Sequence, residues 1–115
     1  MPKPDNYDDL TGAAKWKLCL DLIQSEQGSY LLDKAFDLAG DELQQERRLF
    51  RTELTTDGDI LFKMAVACQA LEIAIGFLTM QANPLWLEIQ DMEILYDGLT
   101  YQIKSAHGEG PGDKD

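Results

Sequence analysis

The run from Ile60 to Ala82, Ile-Leu-Phe-Lys-Met-Ala-Val-Ala-Cys-Gln-Ala-Leu-Glu-Ile-Ala-Ile-Gly-Phe-Leu-Thr-Met-Gln-Ala, constrains this chain more than any other feature. It is too long and too rich in alanine for a strand, so most of it must be helical. Its length would also reach across a bilayer. Lys63, Gln69 and Glu72 interrupt it, however, and an acid at mid-span is costly in hydrocarbon. Neither an aromatic belt nor a basic flank accompanies it. The expectation is therefore a central core helix surrounded by others, with no membrane contact. Ala67, Ala70, Ala74 and Gly76 would let a neighbouring helix approach closely.

Punctuation divides the rest into further helices. The first runs from about Asp9 to Glu26, with Asp8, Asp9 or Thr11 available as N-cap. Trp16, Cys19, Leu20 and Ile23 follow i, i+3, i+4, i+7 spacing, and Leu18 and Leu22 widen the stripe. Gly28 suits a left-handed residue after that helix, and Ser29 can cap a second one. This second helix carries Leu31, Leu32, Ala35, Phe36, Leu38 and Ala39; Gly40 stops it, and Asp41 with Glu42 starts another. Two readings compete over residues 48–64. A β-hairpin would turn at Asp57-Gly58. Alternatively a helix ends near Leu54 and Thr56, Asp57 or Asp59 caps the next, which is the favoured version. Asn83-Pro84 marks the clearest boundary, since proline suits the first helical position. The last helix then spans about Leu85 to Ser105. Its residues Leu85, Ile89, Met92, Tyr96, Leu99 and Ile103 are spaced 4, 3, 4, 3, 4, the seam of an antiparallel bundle or a second copy.

The expected fold is all-α, an antiparallel bundle of four or five helices, with a short β-hairpin near residues 49–64 as the variant. Residues 8–105 form its single domain. Residues 1–7 read as a flexible N-terminal tail. Residues 106–115, rich in glycine and charge and carrying the one histidine, His107, read as a disordered tail.

Charge narrows the function classes. With 21 acidic and 10 basic side chains, the net charge is -11. Phosphate-backbone binding rests on Lys and Arg, so direct nucleic-acid binding is disfavoured, as is an anionic membrane. From Met64 to Ile103 there are five acids and no Lys or Arg. Four of these acids, Glu88, Asp91, Glu93 and Asp97, lie on the last helix, where like charges at i, i+3 and i, i+4 spacing are mildly destabilising. They read as a solvated acidic face or as a docking face for a basic partner, with Trp86 beside it as an exposed anchor. Arg47, Arg48 and Arg51 read as ion pairs with Asp41, Glu42, Glu46 and Glu53, or as a partner-anchoring cluster. The favoured function is a non-enzymatic acidic protein-binding module: an adaptor, an assembly factor, or an inhibitor or immunity-type protein. A homodimer through the long seam is also expected.

Two other classes compete. Glu42 with Glu46, and Glu88 with Asp91, have ExxxE and ExxD spacings similar to those of all-helical, Mg-dependent nucleotide pyrophosphatases. The resemblance implies a hard-cation site built from those four carboxylates. The first pair, in Asp41-Glu42-Leu43-Gln44-Gln45-Glu46, lacks the doubled glutamate of that family. A nucleic-acid mimic would need denser negative charge without three clustered arginines. Nucleophilic catalysis has no Ser or Cys with a histidine partner inside the fold. Asp57-Gly58-Asp59 is too acidic for a phosphate loop and too short for a calcium loop. No cofactor is expected. Cys19 and Cys68 read as free thiols in a reducing compartment. The start, Met1-Pro-Lys-Pro-Asp-Asn, has no apolar leader, so a cytoplasmic location is expected.

Overall fold

A computed structural model describes residues 3–50 and 56–106, and every described secondary-structure element is helical. Thr11 begins helix α1 (Gly12–Ile23), its hydroxyl accepting from the Ala14 N–H at 3.1 Å. A short 3-10 turn, Tyr7–Asp9, precedes it. Tyr7 is 3% exposed, so the segment expected to be a flexible tail supplies a core residue.

The corner between α1 and α2 (Glu26–Ala39) differs from expectation. Ser25 is the cap, not Ser29: its Oγ accepts from the Gly28 N–H at 3.1 Å and donates to the Leu22 carbonyl at 2.6 Å. Gly28 is helical and not left-handed. Glycine is needed there for space, because a side chain at 28 would overlap the Leu22 carbonyl. Gly40 ends α2 as expected, with φ of +62°, a region open to glycine. A 3-10 turn, Gly40–Leu43, leads into α3 (Gln44–Phe50).

Asp57 and Gly58 form the first turn of α4 (Asp57–Thr79), and Thr56 caps it by accepting from the Asp59 N–H at 3.1 Å. The hairpin variant is thus replaced by helix on both sides; residues 51–55 lie outside the described residues. The last helix, α5 (Trp86–Ala106), starts two residues after Pro84, with the Ile89 N–H donating to the Leu85 carbonyl at 2.9 Å. Proline therefore precedes the cap and does not open the helix. His107 and the residues after it lie outside the described residues.

These helices pack as an all-α bundle, but α5 and not α4 is the enclosed one. α5 buries Ile89, Asp91, Met92, Ile94, Leu95, Gly98 and Leu99. On one side lies α1, whose Cys19 thiol donates to the Leu95 carbonyl at 3.5 Å. On the other lies α4, antiparallel, with Cys68 Sγ 3.7 Å from Thr100 Oγ1 and Glu72 beside Glu93. α2 packs on α4 through a face that includes Leu31, Ala35 and Phe36. α4 buries Val66, Ala67, Ala70, Leu71, Ala74 and Leu78, yet leaves Phe62 and Phe77 exposed, as is Met80 at its C-terminal cap. Its Gly58–Thr79 stretch, with mean hydropathy 1.7, is long and apolar enough to cross a membrane, while Ala67, Ala70 and Ala74 sit in the core shared with α2 and α5. Ile89, Met92 and Leu99 of the seam are spent inside this chain; Tyr96 and Ile103 are half-buried and Leu85 is exposed.

Candidate functional site

At 100° per residue, the four acids of α5 fall into two pairs on different sides. Glu93 lies five residues beyond Glu88, which turns it about 140° away. Glu88 and Asp91 face inward. Asp91 is 2% exposed. Glu88 accepts a hydrogen bond and ion pair from Lys34 of α2, and that bond raises the Lys34 pKa above its ordinary value. Glu93 and Asp97 face outward, and Trp86 lies on the same line, seven residues before Glu93.

The outward pair is partly engaged by the chain's own beginning. Lys3 Nζ lies 3.1 Å from Glu93, and the Tyr7 hydroxyl donates to Asp97 Oδ2 at 2.8 Å. The ammonium groups of Lys3 and Lys15 sit 4.8 and 5.0 Å from the Tyr7 ring centroid. Burial first, and then the hydrogen bond to Asp97, push the Tyr7 phenol above its usual pKa. Burial likewise pushes the Cys19 thiol up to about 12 and raises Cys68.

Of the arginine cluster, Arg47 forms ion pairs outside its own segment. Arg47 reaches α2, with Nη1 2.7 Å from Asp37 and Nη2 3.9 Å from Asp33, and lies over the Phe36 ring. Arg48 is exposed, and Arg51 and Glu53 lie outside the described residues. The four carboxylates of the metal reading are not brought together. Among the described residues no three His, Cys, Asp or Glu side chains are placed to hold one ion. Glu42 and Glu46 lie at the α2–α3 connection and in α3, while Glu88 and Asp91 are turned into the bundle.

What the structure adds is an apolar surface at the α4–α5 turn. Trp86 is 57% exposed, and Leu85, Leu87, Phe77 and Met80 are exposed with it. Phe77 and Met80 escaped sequence reasoning because the whole of residues 60–82 reads as core. One available signal was the triplet Leu85-Trp86-Leu87, since consecutive helical residues point in different directions and cannot all be buried on one face. One shallow groove includes Phe77 and Met80 of this surface, and a second shares Glu72 with the first. The first, of 520 Å³, runs along α4 past Gln69, Glu72, Ile73, Gly76, Phe77 and Met80. The second, of 320 Å³, lies between α4 and α5 and is lined by Glu72, Ile75, Glu93, Tyr96 and Asp97. Trp16, by contrast, is half-buried against the core.

No protein-family model matches the chain, and neither a curated protein nor a solved structure resembles it significantly.

Proposed function

We propose that this chain is a non-enzymatic protein-binding module that docks a partner with a basic surface, using Trp86 as its anchor. The carrying observation is the exposure of five large apolar side chains, Phe77, Met80, Leu85, Trp86 and Leu87, within one turn and its flanking helix ends. Extended exposed apolar surface marks interaction sites, and tryptophan is enriched among binding hot spots. Glu93 and Asp97 flank the anchor on the same side of α5, and a net charge of -11 would steer a cationic partner. Glu88 and Asp91, being turned inward, support the helix and not the contact. Catalysis by the buried thiol is disfavoured on physical grounds: a nucleophilic cysteine needs a lowered pKa, and Cys19 is displaced the other way. Two free thiols fit a reducing compartment, in line with a cytoplasmic role.

Photo-crosslinking tests this. A benzophenone amino acid in place of Leu87 should yield a discrete heavier adduct in extracts of the source cells. The same group in place of Gln45, exposed on α3, should not. Trp86→Ala should abolish the adduct. Absence of any adduct at 87, or equal adducts from both positions, would remove the proposal, and an adduct of twice the chain mass would replace the partner by a second copy.

A further inference from the structure

We infer that the groove along the outer face of α4 seats an amphipathic basic helix of the partner, whose cationic side chain enters the acidic groove next to it. This rests on the protein-binding reading and names the partner's chemistry. The seat is formed by an absence: Gly76 carries no side chain, and a Cβ built there meets nothing within 4 Å. Ile73, Phe77 and Met80 rise around it. From Gln69 to Met80 the groove follows the helix for about 16 Å, roughly three turns of a second helix lying along it. An all-helical surface has no free strand edge, so an extended peptide has no backbone partners here; an apolar helix face laid into a groove does not need them.

Charge decides between occupants. The adjoining groove holds three carboxylates, Glu72, Glu93 and Asp97. Lys3 meets one of them and the neutral Tyr7 hydroxyl another, so negative charge remains in excess. Tyr96 lines the same groove, and an aromatic ring attracts a cation placed over its face. A second copy would bring the same acids against these, with -11 on each side. An anionic lipid surface is repelled for the same reason.

The probe is a labelled, synthetic 18-residue Leu/Lys amphipathic helix, with a Leu/Glu peptide of identical apolar face as control, read by fluorescence anisotropy at physiological salt. The protein should bind the Leu/Lys peptide at least tenfold more tightly than the Leu/Glu peptide. Gly76→Leu, which fills the notch, should weaken binding at least tenfold, as should Glu72→Gln with Glu93→Gln. Asp21→Asn with Glu26→Gln, equal in charge but on exposed sites of α1 and α2, should change it less than twofold. Gly76→Gln serves as a second filling variant, and far-UV circular dichroism checks that each variant is folded. The inference is overturned by equal losses in the two charge variants, by indifference to both substitutions at 76, or by zwitterionic phosphatidylcholine vesicles binding with the same sensitivity at 76. If the crosslink from position 87 forms while the peptide neither binds nor competes with it, the basic-helix inference falls and the protein-binding reading stands. Loss of that crosslink removes both.

Discussion

Two helical glycines, Gly98 and Gly76, should respond to alanine with opposite signs. Gly98 lies on the buried side of α5, against α1. A Cβ there would overlap Cys19 Cβ, fall 2.8 Å from Cys19 Sγ and lie 3.3 Å from the Lys15 carbonyl oxygen. Apolar atoms settle at about 3.5–4.0 Å, so α1 and α5 would have to part by about 1 Å. No rotamer relieves this, because the opposing Cβ is fixed to the α1 backbone. Overpacking of this kind costs about 1–3 kcal/mol, and the rigid neighbour points to the upper end. Alanine recovers about 1 kcal/mol of helix propensity. The net expectation for Gly98→Ala is a loss of about 2 kcal/mol. Gly76→Ala meets open space and should gain about 0.5–1 kcal/mol. The two variants should therefore differ by about 3 kcal/mol, or about 12 °C in Tm at roughly 4 °C per kcal/mol for a domain of this size. Urea and thermal unfolding followed by circular dichroism measure both. Adding Cys19→Gly to Gly98→Ala should return part of the loss, with a coupling above about 1 kcal/mol. If Gly98→Ala matched or exceeded the parent in stability, the close α1–α5 approach would be wrong.

Thr56 separates helix from hairpin: Thr56→Ala should lower stability by about 1 kcal/mol in urea unfolding, and Thr56→Ser should leave it nearly unchanged. A Thr56→Val variant as stable as the parent would favour strand over cap. Cys19 governs an alkaline limb. Its folded pKa is raised by burial from 9.0 to about 12, so between these values the folded protein keeps a proton that the unfolded chain has lost. The stabilisation is full below about pH 9 and is lost as pH rises towards 12. The urea midpoint should fall across that window, and Cys19→Ala should flatten the fall; an unchanged slope would contradict the burial of the thiol.

The elements were legible where local chemistry alone decides them. Thr11 was among the caps read for α1, Gly40 stops α2, and Asn83-Pro84 divides α4 from α5. What was not legible depended on a second element. Gly28 looked like a φ-driven stop, but its reason is the Leu22 carbonyl across the corner. α4 carries apolar residues on every side, interrupted only by Lys63, Gln69 and Glu72, so its pattern gives little direction; the packing of α2, α3 and α5 fixes which side is buried. Gly98 gives no signal in the sequence, because its reason is Cys19 on another helix opposite it. The split of the α5 acids was present in the numbering, since a five-residue offset cannot keep Glu88 and Glu93 on one side. Tyr7 carried no such signal, because one aromatic among prolines and polar residues becomes core only through Asp97 and the two lysines around it.

The apolar surface and the missing cations belong to one design problem. A chain that leaves Phe77, Met80, Leu85, Trp86 and Leu87 in solvent must avoid sticking to itself. Mixed charges around the surface would permit contact between copies in some orientation. A stretch with five acids and no Lys or Arg from Met64 to Ile103 works against it, because two copies meeting through this stretch bring acid against acid. On the proposed protein-binding reading, this placement works against nucleic acid and anionic lipid. On the same reading, the surface is open to partners that bring positive charge with their apolar groups. On that view Lys3, drawn from outside the stretch onto Glu93, marks a position that a partner's cation would take.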